Sequence, residues 1–177
     1  MSAVNMGRSA GLAFGVAIGL VIAVIVIRLV NKDRKLRTDY DEMQKIIRGD
    51  AYRIAFYTIV CCEAALYLVT LFCGELPVDP MILHFLPIFA GITVQASYCI
   101  WKGAYVGQNT NLGRFIAFAF FISLFNLGLA ALAWAHGNMV VDGILQTPFT
   151  NFLCGLIFAV LGAVALVRKL TERGVEE

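Results

Sequence analysis

RLVNKDRKLRTDYDEMQKIIRGDAYR, residues 28–53, is the one long polar run in a chain of 177 residues, and it lies between the first two apolar segments. It carries eight of the fourteen Lys and Arg residues. A cluster of that size is costly to move across a bilayer, so it reads as cytoplasmic and fixes the orientation of the segments on either side. Around it the chain is 60% hydrophobic and 15% charged, with a mean hydropathy of +0.80. An ordinary soluble domain is about a quarter charged.

The apolar residues are gathered into windows of about twenty, the length a helix needs to cross a bilayer. These windows cover 9–27, 54–73, 81–101, 115–135 and 148–167, and Glu63 is the one charge inside any of them. The connections at 74–80 and 135–150 hold no Lys or Arg, so thirteen of the fourteen basic residues fall on one side. The pattern predicts an all-α membrane protein of five transmembrane helices, N-terminus out and C-terminus in, in a single membrane domain. Only Arg8 precedes the first window, and basic residues rather than a small-residue cleavage site follow it, so the window reads as a retained anchor.

The first window holds Gly7, Gly11, Gly15 and Gly19 at spacings of four. Glycines four apart share a helix face and let another backbone approach closely, either within the chain or in a homo-oligomer. The fifth window, with Asn151, Cys154, Gly155 and Gly162, is the expected partner within the chain.

Between the first two windows the sequence predicts a short cytoplasmic helix over about 39–49. Asp39 is its expected N-cap, with Glu42 three residues on and Gly49 as terminator. Leu36, Tyr40, Met43 and Ile47 form an apolar stripe, with Asp41, Lys45 and Arg48 opposite. Such a helix is expected to lie in the headgroup layer, cap the bundle or meet a partner protein. Asp41-Glu42-x-Gln44-x-x-x-Arg48-Gly49-x-x-Tyr52-x-x-Ala55-Phe56-x-Thr58 resembles the cytoplasmic motif of small, uncharacterised polytopic membrane proteins from Gram-positive anaerobic bacteria. Met43 stands where those relatives commonly carry Arg. The resemblance covers under twenty residues; it implies a multi-pass protein of a bacterial plasma membrane and no particular activity.

Glu63 sits near the middle of the second window, where a carboxylate is expected to face the bundle interior, be paired or be protonated. Gln95 in the third window and Asn126 in the fourth fall at similar depth, so the three form a candidate intramembrane polar site. Pro87 and Gly91 give the third window a place to bend. The five cysteines show no C-x-x-C or His/Cys ligand spacing, so no metal, cofactor or disulfide is expected. His84 and His136 both stand at the outer edge, away from any nucleophile-and-base arrangement, and an enzyme is not predicted. The basic run has interleaved acids and adjoins a membrane surface, which argues against nucleic acid as a partner. The expected partners are the lipid bilayer and a second copy or another membrane protein. The sequence favours a scaffold, accessory or regulatory component, with a small oligomeric proton- or cation-coupled transporter or channel, using Glu63, as the alternative.

Overall fold

Among the described residues the framework is five helices, α1 (Ala3–Val30), α2 (Glu42–Cys73), α3 (Pro80–Lys102), α4 (Leu112–Ala135) and α5 (Phe149–Glu176). A hairpin of β1 (Val140–Val141) and β2 (Ile144–Leu145) precedes α5. This computed structural model describes residues 3–31, 38–108 and 110–176; the side chains of residues 3–13, 16 and 173–176 lie outside the description. Among the described residues α2, α3, α4 and α5 are long and apolar enough to cross a membrane. The chain is thus a multi-pass, all-α membrane protein by length and composition. α1 enters that comparison only over Ala17–Val30.

Asp41, rather than Asp39, starts α2. Its carboxylate accepts from the Gln44 N–H at 2.7 Å, while Gln44 Oε1 accepts from the Asp41 N–H at 3.2 Å, which closes a reciprocal capping box. From there the helix runs unbroken through Gly49 to Cys73, so the separate helix predicted over 39–49 is the first part of the second span. One glycine in a helix interior costs about 1 kcal/mol relative to alanine, too little to stop a helix with good formers on both sides. At 1.5 Å per residue the 32 residues of α2 reach about 48 Å, against a hydrocarbon layer of about 30 Å. Its first turns must therefore stand clear of the apolar layer.

The helices pack in the order α2, α3, α5, α4, with α1 resting lightly on α4. Small residues make these seams, as expected where lipid supplies no hydrophobic drive between helices. A Cβ on Gly91 of α3 would lie 2.5 Å from Ile59 of α2, and one on Gly155 of α5 would lie 2.7 Å from Leu127 of α4. Gly162 receives the ring of Phe120, and the buried Ser123 hydroxyl of α4 donates to the Gly155 carbonyl at 2.8 Å. Ala96, Ile100, Ile116, Leu161 and Ala165 form the core where α3, α4 and α5 meet.

The small face of α5 thus serves α4, not the glycine face of α1. Leu127 and Phe120 fill the hollows that Gly155 and Gly162 leave, which uses them up within the bundle. A Cβ on Gly15 or Gly19 would meet nothing within 4 Å. Gly7 and Gly11 lie on α1 among the residues whose side chains are outside the description.

At the end of the bundle away from residues 28–53, Asp142 (φ 52) and Gly143 (φ 77) take two successive left-handed conformations and turn β1 into β2. Leu145 N–H donates to Pro77 O at 2.9 Å and Asp79 N–H to Leu145 O at 2.8 Å, tying the hairpin to the α2–α3 connection. The Asp79 carboxylate caps α3 through the Met81 N–H and also accepts from the Thr147 hydroxyl.

Candidate functional site

α3 ends in Gly103, left-handed at φ 79, and the carbonyls at and beyond this end need donors. They find them on α2, on α5 and on Tyr40, two residues before α2. Gln44 Nε2 donates to Gly103 O at 2.8 Å and to Val106 O at 3.2 Å. Arg48 reaches Ala104 O at 3.4 Å, the Tyr40 hydroxyl reaches Tyr105 O at 3.4 Å, and Arg168 of α5 donates to Ile100 O. Cations are favourable at the negative end of a helix dipole, which suits both arginines to this place. Glu172 holds Arg168 from the other side with oxygen contacts of 2.6 and 2.7 Å. A Cβ on Gly103 would lie 2.5 Å from the Arg168 guanidinium and would push it aside, while the left-handed backbone itself favours glycine.

The same loop is pinned by the end of α1. Asn111 N–H donates to Val30 O at 3.1 Å, Thr110 Oγ1 to Asn31 Oδ1 at 2.8 Å, and Arg114 of α4 to Leu29 O at 3.2 Å. Gln108 N–H donates to Asp39 O at 2.9 Å. Burial pushes the Tyr105 phenol above its ordinary range, Tyr40 adds to that, and the Arg48 charge opposes it. Polar groups from all five helices or their ends therefore meet in one knot.

Within the predicted stripe, Tyr40 and Ile47 are half-buried, Met43 is 66% exposed, and Leu36 lies outside the described residues. Arg48, expected on the solvated side, stacks 4.2 Å above the Tyr40 ring. The docked face is Tyr40, Gln44, Arg48 and the fully buried Ala51, because orphan carbonyls on the neighbouring loop select donors over apolar side chains.

Glu63, Gln95 and Asn126 lie on α2, α3 and α4, and among the described residues no hydrogen bond or ion pair joins any two of them. Glu63 is exposed on α2, and Tyr67 one turn on is exposed too. Asn126 is half-buried and turns its amide back to the Ile122 carbonyl at 2.9 Å, satisfying itself within its own helix. Gln95 is half-buried and lines a cleft of about 620 Å³ between α1 and the bundle, together with Ile22, Arg48, Tyr52, Tyr105 and Phe158. α4 is separated from α2 by α3 and α5 in the packing order, which keeps Asn126 away from Glu63.

A second cleft, of about 890 Å³, opens between α1 and α4. Arg28 and Arg114 stand at its head above Ile25, Leu29, Phe118 and Phe121. Among the described residues Arg28, Arg48 and Arg114 have no carboxylate partner, whereas Lys45, Arg53 and Arg168 pair with Glu42, Asp50 and Glu172. His84 and His136 are exposed, and His136 Nδ1 lies 2.7 Å from Leu132 O. Among the described residues no three His, Cys, Asp or Glu are grouped to hold a metal ion.

The sequence signal for the knot was the run of donors Tyr40, Gln44 and Arg48 at one helical face; the signal for Arg168 was only its position after the last window. Comparison with family models, with curated proteins and with solved structures returns no match.

Proposed function

We propose that this chain is a non-catalytic scaffold, accessory or regulatory component of a bacterial plasma membrane. It crosses five times, with its N-terminus outside and its C-terminus in the cytoplasm, and it joins a second membrane helix through α2. The observation that carries this reading is Glu63, an exposed carboxylate at the centre of the apolar part of α2 with no partner among the described residues. A charge at that depth facing acyl chains costs about 2.5–3.5 kcal/mol on insertion scales. A donor from another helix removes most of that cost, so the residue fits a contact with a second copy or with another membrane protein. The surface around it supports this, since no residue in the most apolar stretch of α2 is buried.

Tyr67, four residues on from Glu63 and so on the same face, is 67% exposed and supplies the test. A Tyr67→Cys variant in a cysteine-free background is crosslinked with a short bismaleimide in native membranes, alone and combined with Glu63→Leu. The reading expects a covalent dimer or heteromer through that cysteine and a severalfold lower yield in the Glu63→Leu background. An unlinked cysteine under conditions that label it fully with a monofunctional maleimide would sink it.

The outward carboxylate also favours a second reading, a proton- or cation-coupled path lined by one Glu63 from each copy of an oligomer. Its mark is a pH-dependent flux in proteoliposomes that Glu63→Gln abolishes while the oligomer stays intact.

A further inference from the structure

The cleft between α1 and α4 has a chemistry of its own. On α1, Ile25, Arg28 and Leu29 stand three and four residues apart and so share a face; on α4, Arg114, Ala117, Phe118 and Phe121 do the same. Arg28 belongs to the last turn of α1 and Arg114 to the first turn of α4, and the Arg114–Leu29 hydrogen bond brings these two ends side by side. Each wall of the cleft is therefore headed by a guanidinium and continues in apolar side chains along the span. Phe121 is 65% exposed and Leu29 62% exposed, so the walls are open rather than packed.

Neither guanidinium is paired with a carboxylate among the described residues. The Arg114 guanidinium uses one of its five N–H donors on Leu29 O, and no described residue accepts from the Arg28 guanidinium. Two unneutralised guanidiniums recognise a phosphate through forked, charge-assisted hydrogen bonds. The apolar walls beneath them exclude a fully hydrated ion as the best fit and suit a hydrocarbon chain. The volume of about 890 Å³ lies within the ~300–1,000 Å³ of small-molecule sites.

We propose that this cleft binds an anionic phospholipid, with the headgroup phosphate held by Arg28 and Arg114 and an acyl chain lying on Ile25, Phe118 and Phe121. The light contact between α1 and α4 leaves room for such a chain, which then becomes the packing that joins α1 to the bundle. The site is independent of Glu63, so failure of the α2 interface leaves it standing.

The full-length protein in nanodiscs of phosphatidylcholine is titrated with phosphatidylglycerol carrying a fluorescent acyl chain, and retained lipid is counted by native mass spectrometry. With roughly 1 kcal/mol for each basic contact near a membrane surface, Arg28→Ala is expected to weaken retention about fivefold and Arg28→Ala with Arg114→Ala about thirtyfold. The Arg28 guanidinium makes no hydrogen bond among the described residues, so its single variant keeps the test valid if the double variant unfolds. Phe121→Ala, which removes part of an apolar wall and no charge, is expected to weaken lipid retention as well. Equal retention in wild type and Arg28→Ala overturns the proposal, as does equal binding of phosphatidylcholine. Displacement of the lipid by millimolar inorganic phosphate assigns the site to a free anion and overturns it as well.

Discussion

Gly155 is the position where one added methyl group tests the bundle most directly. Its missing side chain brings α5 against Leu127, whose backbone nitrogen would be 3.2 Å from a Cβ, and it places the Gly155 carbonyl 2.8 Å from the Ser123 hydroxyl. Gly155→Ala is therefore expected to part the two helices and destabilise the fold by about 1–3 kcal/mol, measured by SDS unfolding from mild detergent micelles. Ser123→Ala, which removes only the hydrogen bond, is expected to cost about 0.6 kcal/mol by the same measurement. If Gly155→Ala is silent while Ser123→Ala is not, backbone approach is not what holds this seam. The sequence showed that Gly155 and Gly162 wanted a close neighbour, because glycine in an apolar span has few other uses. It did not show which helix supplies it, since any of four had apolar side chains to offer and the choice rests on where Leu127 and Phe120 fall once α4 is in place.

At the level of the element, apolar windows are legible because hydropathy summed over twenty residues does not depend on neighbours. Boundaries are set by single contacts and are less so. Two capping boxes compete at the start of α2, Asp39 with Glu42 and Asp41 with Gln44, and the second prevails where Gln44 also bonds the Gly103 and Val106 carbonyls. The continuity of α2 through Gly49 has a consequence with a definite sign. A Cβ there meets nothing within 4 Å and Gly49 does not adopt a positive φ, so Gly49→Ala is expected to stabilise the protein by about 1 kcal/mol and to slow amide exchange over 45–53. Were Gly49 a left-handed terminator, the same change would be strained and exchange would speed up. The hairpin was open to reading in advance, since Asp142-Gly143 between Val140-Val141 and Ile144-Leu145 is the dipeptide that a tight turn with two positive φ angles selects.

Across the whole molecule, basic charge and polar contact gather at one end. Arg28, Arg48, Arg114 and Arg168 come from four different helices, yet all lie at the knot or the cleft beside it, and residues 54–101 and 115–167 contain no Lys or Arg at all. The other end carries Glu75, Asp79 and Asp142 with the hairpin over them. Only the basic end is expensive to translocate, so it is expected to stay in the cytoplasm; if α1 spans as well, the two chain ends then lie on opposite sides. Single cysteines introduced at Asn5 and at Val175 in a cysteine-free background give the decisive comparison. In intact cells an impermeant maleimide is expected to label the Asn5 position and to reach the Val175 position only after permeabilisation. Labelling of both ends in intact cells, or of neither, leaves four crossings; α1 then lies along the membrane surface, and the Arg28–Arg114 cleft loses the acyl layer that its apolar walls require.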